Sequence, residues 1–354
     1  MAYSIEEARF HVRSLGQKLK NDGLMIRTWG NVSVRISDDA FVISPSGREF
    51  DGLTSDEIVR VSIKDGSYES GKIPSSEYLL HLITYKIHPE AQCVIHTHQP
   101  VASAISVLGM DFEDIKQYIP EGMTRDVDIL GSKIPNVKYE MAGSKEAMKA
   151  IGKAWKKNPM AAALLMKNHG ALIWGEEVRE TYYIVKMLEK MSRWIYSSII
   201  DEEEESLNFD MMFDTKYREK LRWAPSIKEM KDKYSFIARS PFLKRYSNLG
   251  LDLDAYLDDM AQIGGAHVKN IVKQIGQATL AKELSNKEAV LLRGKGAVCV
   301  CTSEDEARFL CQVLEKNAMA AYLAKKYGAG LPIPEQISER IRKHYVEIYS
   351  KRRK

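Results

Sequence analysis

The side chains best suited to chemistry in this 354-residue sequence are a few of its eight histidines. His96 and His98 are separated by one residue in the segment VIHTH, which predicts a strand. Because alternate residues of a strand point to the same face, both imidazoles can bind one metal ion. A catalytic metal site with an open position needs a third protein ligand. His169 and His81 are the candidates, and we favour His169 because it lies in the turn KNHG at the end of a strand.

A carboxylate, Glu77, follows two serines in the segment GKIPSSEYLLH. Ser75 or Ser76 is placed to cap a helix, so Glu77 is predicted in its first turn, where the helix dipole favours negative charge. Small hydroxyl residues at a helix start also favour an anion such as a phosphate. Two glycine-containing turns, TWGN (28–31) and SPSG (44–47), can offer backbone N–H groups to the same anion.

The elements that must position these residues follow from the spacing of apolar residues. Short apolar or alternating runs predict strands, and longer amphipathic runs predict helices. Strands are predicted at 32–37, 40–44, 59–64, 92–98, 162–167 and 171–174, and helices at about 5–20, 76–87, 100–107, 144–157 and 177–199. Residues 110–140, with two prolines and several glycines, predict a long excursion. The mixture of elements indicates the α/β class.

Composition and charge exclude several classes of protein. Hydrophobic residues make up 44% and charged residues 28%, as in ordinary soluble proteins. The last four residues, 351–354, carry the whole formal net charge of +4, so the body is balanced and no nucleic-acid surface is predicted. We expect this basic tail to be the solvated end of a helix. The charged N-terminus does not read as a signal peptide, no apolar run spans a membrane, and the four cysteines lack C-x-x-C spacing, which together predict a cytoplasmic protein with reduced thiols.

The second half of the chain resembles part of the first. An acidic run at 201–205 predicts a solvated linker. Shifted by 126 residues without a gap, 163–196 lies on 289–322, so that ALLMKNHGALIWG meets AVLLRGKGAVCVC. Chance matching of two strand-turn-helix units is the alternative, but the lack of gaps and the shared Gly-Ala pair favour duplication. Lys295 matches His169, so the second copy would lack this metal ligand.

Taken in order, the motifs TWGNVSVR, ISPSG, KIPSSE, VIHTH and KNHGALIWG resemble the class II aldolase/adducin family, which includes L-fuculose-phosphate aldolases. The resemblance covers about residues 5–200. It implies a three-layer α/β/α sandwich with a mostly antiparallel central sheet, usually assembled as a homotetramer with sites between neighbouring subunits. We therefore predict an aldolase-like catalytic domain at 1–200, an acidic linker at 201–224, and a smaller degenerate α/β domain at 225–354.

The family's functional residues transfer motif by motif. The resemblance implies a Zn²⁺ site, open to other divalent metals, and an acid/base role for Glu77. Aldolases of the family have P-S-S-E here, whereas its epimerases have aspartate where Glu77 stands. Tyr118 is the candidate acid on the aldehyde side, and Tyr139 is a weaker one. The implied metal ligands are His96, His98 and His169, and the implied phosphate contacts are Thr28, Gly30, Asn31, Ser46, Gly47, Ser75 and Ser76.

The predicted function is a metal-dependent lyase. It would cleave a ketose 1-phosphate to dihydroxyacetone phosphate and an aldehyde through a zinc-stabilised enediolate. A close alternative is another enediolate reaction on this scaffold, carried out by a sugar-acid phosphate decarboxylase, a dehydratase or an epimerase. A non-catalytic, adducin-like scaffold is the alternative of another class. Residues 110–140 resemble the sugar-phosphate aldolases little, and residues 206–354 have no counterpart in the short aldolases.

Overall fold

The computed structural model describes residues 3–122, 127–210, 214–222, 224 and 230–349. It divides the chain into two compact units, Met1–Ile195 with Glu347–Lys354, and Tyr196–Val346. The basic tail at 351–354 lies outside the described residues. No described helix is both long and apolar enough to cross a membrane. The four cysteines are all free thiols.

The first unit alternates helices with the strands of one sheet. Its helices are α1 (Ile5–Asn21), α2 (Tyr78–Ile87), α3 (Pro100–Ser106), α4 (Lys145–Lys157) and α5 (Val178–Ile200), the last of which runs into the second unit. Its strands are β1 (Asn31–Ser37), β2 (Ala40–Ile43), β3 (Val59–Ser62), β4 (Cys93–Thr97), β5 (Asn136–Val137), β6 (Ala163–Met166) and β7 (Gly170–Gly175). Each strand and helix predicted for this unit is present, and β5 is an addition within the predicted excursion.

The seven strands form one sheet in the order β3-β2-β1-β4-β7-β6-β5. All neighbouring pairs are antiparallel except β5 with β6, so the sheet is mixed and mostly antiparallel, as predicted. Helices α2 and α4 pack together and share a core with the sheet that includes Leu80, Trp155 and Leu172, while α1 contacts β1 and β2. The predicted α/β/α sandwich is confirmed.

Helix α2 follows directly after Glu77, and its C-terminal end is tied to the sheet. At its C-terminal end the buried Arg35 guanidinium of β1 donates to the carbonyl oxygens of Tyr85 at 3.0 Å and His88 at 3.3 Å. A cation at the C-terminal end of a helix satisfies carbonyls that lack an intrahelical partner. The Trp155 indole of α4 donates to Thr84 Oγ1 at 3.0 Å. These bonds fix α2 against β1 and α4.

The second unit continues with helices and a smaller sheet. Its helices are α6 (Glu204–Leu207), α7 (Pro241–Asn248), α8 (Asp258–Ile263), α9 (Gln277–Glu283), α10 (Glu304–Tyr327) and α11 (Glu335–His344). Its strands are β8 (Arg218–Lys220), β9 (Tyr234–Ala238), β10 (Leu253–Asp254), β11 (His267–Val268), β12 (Asn270–Ile271), β13 (Ala289–Leu292) and β14 (Gly296–Cys301). Five strands form a sheet in the order β12-β13-β14-β9-β8, and β10 pairs with β11.

The segment 201–224 differs from the predicted solvated linker. The Arg245 guanidinium donates to both carboxylate oxygens of Glu202, at 2.7 and 2.6 Å, which neutralises part of the acidic run. Leu207 and Phe209 are buried, and β8 pairs with β9. The linker was predicted from the acidic run alone. Burial of these two apolar side chains places the described part of the segment in the second unit. The boundary therefore lies at residue 196 rather than in a linker.

Candidate metal centre

Glu77, His96, His98 and His169 meet in one buried cluster in the first unit. Their ligand atoms all lie within 4.8 Å of one another. None of the four side chains belongs to the apolar core, and each is buried, with residue exposures of 8%, 0%, 2% and 3% in that order. Burying several polar groups together is costly unless they bind each other or a metal. The structure thus brings together all three predicted ligands and the predicted acid/base.

Strand pairing explains why the histidines meet. His96 on β4 faces Leu172 on the antiparallel strand β7, and His98 follows β4 on the same face. His169 lies in the turn between β6 and β7, after Asn168 with a left-handed φ of 59°. Gly170 then passes so close to β4 that an added Cβ would lie 2.2 Å from the Thr97 carbonyl oxygen. This contact holds the turn, and with it the third histidine, over the end of β4.

The imidazoles are oriented for metal binding. His96 Nδ1–H donates to the Ala171 carbonyl at 2.9 Å, which orients the ring so that its Nε2 faces the cluster. His96 Nε2 and His169 Nε2 are 3.1 Å apart. Ring centroids of His98 lie 4.8 Å from His96 and 4.5 Å from His169, and Trp29 stacks on the outer side of His98. Three imidazoles beside a carboxylate are the donor set of a catalytic zinc site, so these residues fit a divalent cation.

The Glu77 carboxylate bridges two of the histidines. Its Oε1 is 3.1 Å from His169 Nε2, and its Oε2 is 3.2 Å from His96 Nε2. Burial acts to raise the pKa of Glu77, but the positive character of His96 and hydrogen bonds from His169 and His96 outweigh it and hold the pKa well below its usual range. The group is therefore ionised in the cluster and carries the negative charge that a cation would balance.

Glu77 lies immediately before helix α2, whereas it was predicted in the first turn of that helix. Helix α2 begins at Tyr78, so Glu77 is its N-cap residue rather than part of its first turn. Its side chain makes no capping bond, and its backbone N–H donates to Ser75 Oγ at 3.3 Å. Because the side chain makes no capping bond, the carboxylate is available to the histidines.

The predicted phosphate-binding turns meet beside Glu77. Ser75 N–H donates to the Ser44 carbonyl at 3.0 Å, and Ser46 N–H donates to the Ile73 carbonyl at 3.1 Å. The SPSG turn and the PSSE segment are thereby joined side by side. Gly47 has a φ of 70°, which the turn needs, and Ser76 is exposed. Among the described residues Ser46 Oγ is a buried hydroxyl without a hydrogen-bond partner, as expected for a group that awaits a ligand.

The TWGN turn adjoins the metal cluster directly. Gly30 has a φ of 107°, and an added Cβ would lie 2.9 Å from the His96 carbonyl oxygen, so only glycine fits there. Thr28 is half-buried in the same turn. Asn31, a further predicted phosphate contact, lies at the end of this turn, and its side-chain amide binds Glu77 Oε2 at 3.1 Å and His81.

Tyr118 was predicted to act in the site, whereas two lysines beside His169 were not. Tyr118 ends a short 3₁₀ helix at Ile115–Tyr118, with its ring centroid 6.3 Å from that of Phe112. A small cleft beside His169 is lined by Lys138 and Lys167 among others. Sequence reasoning did not name these two lysines, although the position of Lys167 directly before the NHG turn was a usable signal.

Comparison with known proteins agrees with this geometry. The family model described as Class II Aldolase and Adducin N-terminal domain matches residues 11–196. A 5-methylthioribulose-1-phosphate/5-deoxyribulose-1-phosphate aldolase of Escherichia coli is 32% identical over 176 residues, 50% of this chain and 77% of that protein. An L-fuculose phosphate aldolase of Escherichia coli is 29% identical, over 48% of this chain and 74% of the relative.

The chain is also similar to a decarboxylase and to a solved aldolase structure. A 3-oxo-tetronate 4-phosphate decarboxylase of Pectobacterium atrosepticum is 28% identical over 195 residues, 54% of this chain and 85% of that protein. Among solved structures, an L-fuculose 1-phosphate aldolase superposes with a TM-score of 0.49 and 27% identity, covering 57% of this chain and 89% of its own. The matches to the curated relatives span no more than about half of this chain.

Proposed function

This chain belongs to the class II aldolase and adducin family, and on that premise we propose that it is a metal-dependent aldolase acting on a ketose 1-phosphate. The products would be dihydroxyacetone phosphate and an aldehyde. The observation that carries the proposal is the buried cluster of Glu77 with His96, His98 and His169. A scaffold without catalysis has no use for three imidazoles and an ionised carboxylate buried together.

The metal and the carboxylate divide the work. A divalent cation held by the three imidazoles, for which we propose zinc, would supply Lewis-acid chemistry by polarising a substrate oxygen. In the cleavage direction the electrons of the broken carbon–carbon bond stay with the three-carbon fragment. The hydroxyl that becomes the aldehyde carbonyl loses its proton in this step. A proton is taken up by the ionised Glu77, which transfers it to the carbon of the three-carbon fragment, so that one proton in total passes from the hydroxyl to this carbon; in the reverse direction Glu77 removes the same proton. Its fixed place at the edge of the cluster suits a group that must reach one carbon repeatedly.

The turns beside Glu77 are proposed to hold the phosphate. Ser46, Gly47, Ser75 and Ser76 lie on two segments joined by backbone hydrogen bonds, next to the start of α2. Thr28 and Gly30 complete the proposed site from the neighbouring turn. Backbone N–H groups and hydroxyls at a helix start bind anions and would set the distance between the phosphate and the reacting carbon.

Further parts of the proposal follow from the family alone. We propose that Tyr118 accepts the proton of the hydroxyl that becomes the aldehyde in the cleavage direction and returns it in the reverse direction. We also propose that the chain works as a homo-oligomer, with a tetramer favoured. A Tyr118→Phe variant separates the two roles of this residue. A catalytic hydroxyl predicts a lower kcat at unchanged metal content, whereas a packing ring predicts an unchanged kcat.

A panel of ketose 1-phosphates, assayed for release of dihydroxyacetone phosphate, tests the function. We expect release with at least one of them, loss of release in the presence of a chelator, and recovery on adding Zn²⁺. His96→Ala is expected to abolish both release and bound metal, while His267→Ala, an exposed histidine of the second unit, changes neither. A purified protein that neither contains nor binds a divalent ion would contradict the enzyme and favour the scaffold alternative.

A decarboxylase of a 3-oxo-acid phosphate is the second candidate, and its support is the similarity to the Pectobacterium protein. Loss of CO₂ also leaves negative charge on a fragment beside a carbonyl, so the same metal and the same Glu77 would serve it. Release of CO₂ from a 3-oxo-acid phosphate, without cleavage of any ketose 1-phosphate, would select this reaction over the aldolase.

A further inference from the structure

A chain of buried hydrogen bonds leads away from Glu77 into the first unit. Asn31 Nδ2 lies 3.1 Å from Glu77 Oε2, and Asn31 Oδ1 lies 2.5 Å from His81 Nε2. His81 Nδ1 is 2.7 Å from Ser33 Oγ, which is 2.9 Å from the Tyr85 hydroxyl. Asn31, Ser33, His81 and Tyr85 are all nearly or fully buried. Water cannot replace any of these partners, so each group depends on its neighbour.

The direction of every bond in this chain is set from its Glu77 end. The Asn31 amide nitrogen donates to Glu77 Oε2 at 3.1 Å. The amide oxygen then faces His81, whose Nε2 must carry the proton, and the Nδ1 lone pair must accept from Ser33. Ser33 in turn accepts from the Tyr85 hydroxyl. The Val94 carbonyl, 3.5 Å from Ser33 Oγ, is a more distant alternative acceptor.

We propose that His81, fixed as the Nε2–H tautomer, is a positioning residue that locks the Asn31 amide and thereby holds the Glu77 carboxylate in place for proton transfer. His81 acts only through Asn31. If the amide turned over, its oxygen would meet a carboxylate oxygen at 3.1 Å and push it away. The role in proton transfer rests on the proposed function, whereas the tautomer and the locked amide do not.

The tautomer is measured directly, without any enzyme assay. In protein labelled with ¹⁵N-histidine, the nitrogen shifts of His81, assigned by their loss in His81→Gln, report which ring nitrogen carries the proton. We expect a neutral ring with the proton on Nε2. A proton on Nδ1 would overturn the proposal whatever the substrate of the enzyme.

The effect on catalysis is measured with two variants and a matched control. His81→Leu breaks the chain, and we expect kcat to fall about 100-fold with bound metal and KM unchanged, because a small misplacement of a reacting group costs about that much. His81→Gln keeps one donor and one acceptor and is expected to restore most of kcat. His88 is a buried histidine that stacks on Trp174 and takes no part in these hydrogen bonds, so His88→Gln controls for the loss of a core imidazole. Equal kcat values for the Leu and Gln variants would contradict a positioning role.

A second inference concerns the second unit, which the similarities above leave without a counterpart. The pairing of β13 with β14 repeats that of β6 with β7 at a constant shift of 126 residues, so that Ala289 faces Cys299 as Ala163 faces Ile173. The pairing of β9 with β14 likewise repeats that of β4 with β7. Both β4 and β9 lead into a helix that begins with a proline, Pro100 in one and Pro241 in the other.

Bonds from side chains to the backbone recur at the matching places. Asn136 donates its backbone N–H to Asp111 Oδ1 at 2.8 Å and its amide N–H to the Ser106 carbonyl at 2.9 Å. Asn270 does the same with Asp252 at 2.7 Å and with the Ser247 carbonyl at 2.9 Å. Generic strand-turn-helix units would share their pairing, but they would not share these side chains and partners.

In both units a glycine lies very close to the backbone of a neighbouring strand. An added Cβ on Gly170 would lie 2.2 Å from the Thr97 carbonyl oxygen, and one on Gly296 would lie 2.0 Å from the Ala238 carbonyl oxygen. Thr97 and Ala238 occupy equivalent positions at the ends of β4 and β9. The two sheets therefore bring the turn equally close to the neighbouring strand.

The metal ligands are the part that does not recur. In register, His96 corresponds to Ile237, His98 to Arg239 and His169 to Lys295. We infer that the second unit is an incomplete second copy of the aldolase-like domain that keeps its backbone supports and has lost its metal site. The chain then binds one catalytic metal ion, in the first unit.

Rebuilding the lost site tests the equivalence. In a His96→Ala background, the changes Ile237→His, Arg239→His and Lys295→His are expected to create a site that binds one Co²⁺ or Zn²⁺ per chain. The matched control carries alanine at the same three positions and is expected to bind none. Bound metal is counted by elemental analysis, and near-ultraviolet circular dichroism reports folding. A folded triple-histidine variant without metal would show that the three positions do not converge, and would overturn the assignment.

Discussion

The Glu77→Gln variant separates proton transfer from metal binding. The change keeps the shape of the side chain and removes its charge. Its amide nitrogen must replace either Oε2, where it meets the Asn31 donor 3.1 Å away, or Oε1, where it meets His169 Nε2 3.1 Å away. The first choice sets one buried donor against another and costs on the order of 1–3 kcal/mol in local binding.

The expected loss of activity is larger than this local cost. A positioned acid/base contributes about 10²–10⁴-fold in rate, or roughly 3–5 kcal/mol, so kcat should fall by that factor. Bound metal should be retained, because the three imidazoles remain. The assay compares kcat for release of dihydroxyacetone phosphate with metal content from elemental analysis on the same preparation. Glu146→Gln, an exposed carboxylate in the first turn of α4, is the control and should leave both unchanged.

Two outcomes of this experiment would refute the reasoning. A wild-type kcat in Glu77→Gln would show that the carboxylate moves no proton in the reaction. Loss of the metal together with kcat would show that Glu77 is chiefly a ligand, and its role in proton transfer would then lack support.

Three further predictions concern the phosphate site, the turn and the second unit. Ser46→Ala removes a buried hydroxyl without a described partner, so KM for a phosphorylated substrate should rise about tenfold at unchanged Tm, as for one lost hydrogen bond to a charged group; an unchanged KM would remove Ser46 from the site. Gly170→Ala places a Cβ against the Thr97 carbonyl, so it should weaken metal binding, measured by titration, and lower Tm, measured by calorimetry. A variant with the wild-type affinity for metal would mean that the turn can relax. Burial raises the pKa of Glu315 to about 8 from a usual 4.5. As pH rises from 4.5 to 8 the unfolded chain therefore releases this proton before the folded chain does, and the free energy of unfolding should fall. Urea denaturation should show a smaller fall in Glu315→Gln, and an equal dependence of stability on pH in both proteins would contradict this.

Much of the site could be predicted because it depends on local rules. A strand places alternate residues on one face, so His96 and His98 had to be neighbours wherever the strand lay. A turn between two strands aims its residues past the end of the sheet, which singled out His169. Helix-start chemistry placed Glu77 within one residue of its position in the structure.

The rest depends on contacts between distant parts of the chain. Asn31 and His81 are fifty residues apart, and their bond follows from the position of α2 across β1, which no local pattern encodes. The bond from the Asn31 amide to Glu77 was therefore not among the predictions. The contact of Arg245 with Glu202 likewise joins residues that are 43 positions apart, so the charge of the acidic run alone does not show whether the run is solvated.

The second unit offers a way to tell residues that serve the fold from residues that serve the chemistry. If it is a copy, whatever recurs in it without a metal site is needed to build the sheet and its turns. Gly170 and Asn136 recur as Gly296 and Asn270, with the same partners, so their contribution to the site is the placement of backbone. His169 recurs as Lys295, and the turn that carries it keeps its form, so the imidazole is not needed for folding. Because folding does not require an imidazole at this position, metal binding is the reason that the first unit has His169 there.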